Sequence, residues 1–214
     1  MSAPASPNAP AVPFGEPTPL GLLGLAIGCA ALIPVAFGLA PSEPAKAVMF
    51  FKTAAMFCLL FGAGGQFLAG VMSLANKNTL GGTLLTTFSF NWVINWWVLD
   101  QAAQGHFVDA SILLSVDVVF MIIFLVLTYA FGFFSKLLFF FLVDIDVLYL
   151  LRIARHFATG DANKALGFGV GLATIVLTAI ALYISFVLLV NPAAGRVVFP
   201  VAAGPMFKPT PPPV

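Results

Sequence analysis

The sequence predicts an all-α integral membrane protein with six transmembrane helices in one domain. Composition is the first reason: 61% of the 214 residues are hydrophobic, 8% are charged and 23 are Phe, whereas soluble domains carry about a quarter charged residues. The second is that apolar runs near the roughly 20 residues needed to cross a bilayer follow one another with little between them. The third is that these runs are continuous, without the alternation of lipid-facing barrel strands, so helices must satisfy the backbone. The formal net charge of +1 and the absence of any block of like charge exclude a nucleic-acid surface or an acidic tail.

Residues 1–18 read as a flexible Pro/Ala-rich tail, without the basic start, apolar middle and cleavage site of a secretory signal. The first span, 19–40, ends at "APSEPAK". The second, 47–75, contains "FGAGGQFLAG", a small-residue patch that lets helix backbones approach, and ends at "NKNT". The third, 80–99, ends near Trp92, Trp96 and Trp97, which suit an interfacial aromatic belt. The fourth, fifth and sixth, at 110–134, 137–157 and 165–190, are divided by "FFSK" and "ATGDANK". The transmembrane domain is thus 19–200, followed by an extended Pro-rich tail at 201–214. Short joints make neighbouring helices antiparallel and place both termini on one side. Lys and Arg divide almost evenly between the two sides and set no orientation. Cys29 and Cys58 lie inside apolar runs and read as small buried hydrophobes.

The fifth span carries Asp144, Asp146, Arg152 and Arg155. An acid at a helix centre costs about 2.5–3.5 kcal/mol on insertion scales, so this helix must be sheltered by protein, water or a bound proton. Helical geometry sets Asp144 and Asp146 about 200° apart and Arg155 about 16 Å from Asp144, which excludes a salt-bridge ladder within the helix. Asp117 on an antiparallel fourth span falls at the depth of Arg152, predicting an ion pair between them. Asn91 and Asn95 share a face of the third span with Thr86, Thr87 and Ser89 a turn or two away, where they either join helices or solvate a passing ion. His106 and His156 stand far apart, and neither metal-ligand spacing nor a phosphate loop nor a nucleophile elbow is present. The chain therefore reads as a non-enzyme with no cofactor and no metal.

Three stretches carry a family resemblance. "EPTPLGLLGL" at 16–25 resembles the "NPAPLGL" opening signature of the acetate uptake transporter family, the succinate-acetate permease relatives. Residues 62–92 are similar to that family's second-to-third helix signature through Gly62, Gln66, Ala69, Gly70, Asn78, Thr79, Gly81, Thr83, Ser89 and Trp92. Tyr183, Asn191 and "GRVVFP" at 195–200 are similar to its closing pattern. The resemblance implies a six-helix protomer in a ring-shaped homo-hexamer, in the inner (plasma) membrane with cytoplasmic termini, passing acetate and related small monocarboxylates or succinate. It implies substrate binding by Leu20, Gly21, Leu22, Gln66, Asn78 and Thr79, and a constriction at Leu25, Phe88 and Asp144. Pro17 and Pro19 suit a helix start, whose free N–H groups favour an anion.

Glu16, Ser73, Asp117 and Asp144 depart from the family pattern. An ionised Asp144 beside the constriction would repel acetate, whereas a protonated one would not. Asp144 or Asp146 thus carries a coupled proton, or is held by a neighbouring cation, or marks a different substrate. The competing readings are a non-transporting membrane subunit or sensor that organises a partner complex, and an exporter of ammonium or another small cation.

Overall fold

The computed structural model describes residues 13–202 and 204–208, so most of the expected N-terminal tail and residues 209–214 lie outside it. The described residues form six helices and no strand: α1 (Thr18–Ala36), α2 (Pro44–Ala75), α3 (Thr79–Ala103), α4 (Ala110–Phe131), α5 (Lys136–Phe157) and α6 (Gly160–Ala194). Local chemistry sets their ends. Pro19 and Pro44 sit in the first turns of α1 and α2, where a missing N–H costs nothing. Asn78 caps α3 by accepting from the Gly81 N–H at 2.9 Å. Asp109 caps α4, its Oδ1 accepting from Ser111 and Ile112 at 2.9 and 3.0 Å. Gly195, at φ 62°, closes α6 in the left-handed conformation that favours glycine.

Four helices, α1, α2, α4 and α6, are long and apolar enough to cross a membrane. This differs from the six spans expected, and the reason is compositional. Helix α5 holds Lys136, Asp144, Asp146, Arg152 and Arg155, while α3 is diluted by Thr, Ser, Asn and Gly. Packing shelters these two: Ser89 and Asn91 of α3 and Asp146 and Tyr149 of α5 are all buried in the bundle.

The bundle follows the spatial order α3, α2, α1, α6, α5, α4. It closes where Phe88 of α3 meets Phe124 of α4 edge to face, ring centroids 5.0 Å apart. Helix α1 crosses α2 closely. A methyl group on Gly24 would stand 2.5 Å from the Phe61 carbonyl oxygen, so only hydrogen fits there. At this crossing α2 widens into a π-helical segment, Cys58–Gly65, a feature that hydropathy does not reveal. Trp92 packs its indole over Gly62 and is 2% exposed. It therefore belongs to the core and not to the aromatic belt, because the hole above Gly62 accepts the ring; Trp97 is the exposed member of the trio.

Both ends of the described chain are fastened at the same end of the bundle. The Asn76 side chain exchanges bonds with the Phe14 backbone at 3.1 Å. The Met206 and Phe207 N–H groups both donate to the Gly132 carbonyl, and the Phe207 ring packs among Tyr129, Phe133 and Phe139. Toward the outside, α4 presents Ile112, Val119, Ile122, Val126 and Tyr129, and α2 presents Leu60, Phe67 and Leu68.

Candidate functional site

Two cavities enter the bundle from opposite ends. The one on the side of the termini, about 460 Å³, is walled by α5 and α6 through Leu138 and Ile184 and by Glu16, Thr18 and Asn78. The other, about 360 Å³, opens between α1, α3, α5 and α6 and reaches inward to Cys29, Phe88, Tyr149 and Leu177. Between them stands an apolar plug of Leu22, Leu25, Phe141, Leu142, Ile145 and Ala181, each at most 3% exposed. From Leu177 to Ile184 is seven residues, so the plug is about 10 Å thick along α6. Polar groups thus line both cavities, and hydrocarbon separates them.

The second cavity is the more polar in its ionisable lining. Arg152 donates to Asp117 Oδ1 at 2.8 Å and lies over the Tyr149 ring at 5.1 Å. His156 Nε2 stands 3.7 Å from the other Asp117 oxygen. Arg155 lies beside this pair, and a smaller cavity of about 270 Å³, lined by Asp117, Arg152, Arg155, His156 and Asn163, adjoins the larger one through the two arginines. Asn91 and Asn95 also line the larger cavity.

The residues expected to bind substrate are dispersed. Asn78 faces the cavity near the termini, with its side chain engaged in the α3 cap. Gly21 and Leu22 are buried in the packing of α1, while Leu20 and Thr79 are exposed. Gln66 is 1% exposed and its Oε1 has no donor among the described residues. Of the expected constriction, Leu25 sits in the plug and Phe88 at the floor of the second cavity. Asp144 is half-buried, with Oδ2 enclosed and unpaired among the described residues. Asp146 points to the opposite flank and accepts from the Thr128 hydroxyl at 2.7 Å.

Sequence reasoning found no partner for Arg155 and assigned Tyr149 and Asn163 no role. A signal was present: α5 holds two arginines, and Asp117 answers only one of them.

No protein-family model and no curated protein matches the sequence. Among solved structures the chain is similar to the bacterial acetate channel SatP, at 20% identity and a TM-score of 0.74, over 88% of this chain and 99% of that one. The chain has the fold of SatP. The shared fold spans nearly the whole of the neighbour. Within this fold, the Asp117–Arg152 pair and its neighbour Arg155 line cavity walls.

Proposed function

We propose that this protein is a membrane channel or transporter for acetate and related small monocarboxylates. In this reading it works as a ring-shaped homo-hexamer in the inner (plasma) membrane with its termini in the cytoplasm. The observation that carries the reading is a pair of cavities meeting across Leu25 in a fold shared with an acetate channel. A plug of hydrocarbon favours solutes that are small and shed water at low cost, which a carboxylate does best when its charge is compensated or protonated. The apolar outer faces of α2 and α4 need a cover of lipid or of neighbouring copies, which suits a ring in a bilayer. Asp144, with an enclosed oxygen that has no partner among the described residues, is the group proposed to carry a coupled proton.

The test is flux of labelled acetate, succinate and ammonium into vesicles holding the purified protein, across a pH series. Acetate should enter faster than into empty vesicles and ahead of succinate. Acetate flux no greater than in empty vesicles would remove the reading, and faster ammonium flux would reassign the substrate to a cation. Stoichiometric purification with a different membrane complex, without flux, would instead support a subunit role.

A further inference from the structure

The cavity away from the termini holds the guanidinium groups of Arg152 and Arg155, and the smaller cavity that adjoins it adds the Asp117 carboxylate. Arg152 and Asp117 satisfy each other at 2.8 Å. Arg155 lines the same two connected cavities, yet no carboxylate oxygen lies within 4.0 Å of it among the described residues. Its Nη2 reaches Asn163 Oδ1 at 3.3 Å, and its Nε is enclosed with no acceptor. A cation in the last turn of α5 suits the helix dipole, but a cation kept for that purpose alone extends into water. Arg155 instead turns inward: its Cζ lies 3.5 Å from where a Cβ on Gly167 of α6 would stand.

Deeper in the same cavity, Trp92 and Tyr149 are 2% and 0% exposed. The indole N–H and the phenol O–H have no acceptor among the described residues, and buried donors of this kind are ordinarily bonded. One uncompensated guanidinium at the mouth and two uncommitted donors in the inner wall match the needs of a single carboxylate.

We infer that this cavity is a capture site for one carboxylate, anchored by Arg155, with Trp92 and Tyr149 as donors at its inner end and Asp117 restricting it to monocarboxylates. Asp117 acts by cancelling Arg152, which leaves the Arg155 charge without a carboxylate partner among the described residues. A second carboxylate on the ligand would enter a poorly solvated wall with no cation to meet it. The inference rests on the proposed transport and names the substrate class of its outer site.

The experiment uses the full chain at pH 8. Equilibrium binding of labelled acetate and succinate is measured in detergent, and acetate flux in vesicles, for the wild type, Arg155→Gln, Arg155→Lys and Tyr149→Phe. Arg155→Gln should weaken acetate binding and raise the flux KM about tenfold or more, with the maximal rate held within about twofold, as loss of a charge-assisted contact requires. Arg155→Lys should regain most of the affinity, Tyr149→Phe should weaken binding severalfold, and the wild type should bind succinate no more tightly than acetate. No acetate binding by the wild type, wild-type Kd and KM in Arg155→Gln, or succinate bound tenfold tighter than acetate would each overturn the site. Should Arg155→Gln fail to fold, unchanged Kd in both Arg155→Lys and Tyr149→Phe overturns it equally. Binding through Arg155 without any flux removes the transport reading and keeps the site; flux indifferent to Arg155 does the reverse.

Discussion

Replacing Asp117 by Asn should destabilise the protein through a single, countable interaction. The Asp117 side chain is 5% exposed and that of Arg152 23%, and they meet at 2.8 Å. Breaking a fully buried pair by removing one member costs about 3–5 kcal/mol, whereas exposed pairs are worth about 0.2–1 kcal/mol. This pair lies between the limits: Arg152 opens onto a cavity, stacks on Tyr149, and would keep a neutral acceptor from Asn. About 2 kcal/mol is the expected loss. For a chain of this size, that corresponds to about 4–8 °C in the unfolding midpoint. The assay is retention of monodisperse protein on size exclusion after heating, run for Asp117→Asn, Arg152→Gln and the double variant. The double variant should be less destabilised than the sum of the singles by about 1 kcal/mol or more. A midpoint within about 1 °C of wild type for Asp117→Asn, or additivity within about 0.5 kcal/mol, would refute the reasoning.

Three further outcomes are expected. Gly24→Ala drives a methyl to within 2.5 Å of the Phe61 carbonyl and should cost about 1–3 kcal/mol, read as a lower midpoint in the same heating assay; an unchanged midpoint would mean that α1 and α2 do not cross so closely. The Asp109 carboxyl is held below its ordinary range by the Ser111 hydroxyl first and the Ile112 N–H next. Its contribution is therefore complete above the unfolded-state value of about 3.9 and fades as pH falls through the folded-state value, so Asp109→Ala should flatten the acid limb of the stability profile below about pH 4. With proton coupling through Asp144, Asp144→Asn should flatten the pH dependence of acetate uptake into vesicles, and an unaltered pH profile would exclude Asp144 as the carrier.

The amino-acid sequence by itself determined that this is a helical membrane protein, where its joints fall, and that the acids of α5 need shelter. Such properties follow from local solvation: a run of hydrocarbon, a proline or a charge has the same transfer cost whatever surrounds it. Equal depth in two antiparallel helices was enough to join Asp117 to Arg152, because a helix rises by a constant amount per residue. The extent of α6, which runs to Ala194 rather than 190, the π-helical turn of α2 and the burial of Trp92 were not legible. Each depends on which surface another helix brings to that point. Only the tertiary structure decided that Arg155 turns inward to a cavity, that Asp146 meets the Thr128 hydroxyl, and that Leu25 stands between two chambers. Rotation of a helix about its axis, and the gaps left by imperfect packing among six of them, are set by all the neighbours together and leave no periodic trace in any one segment.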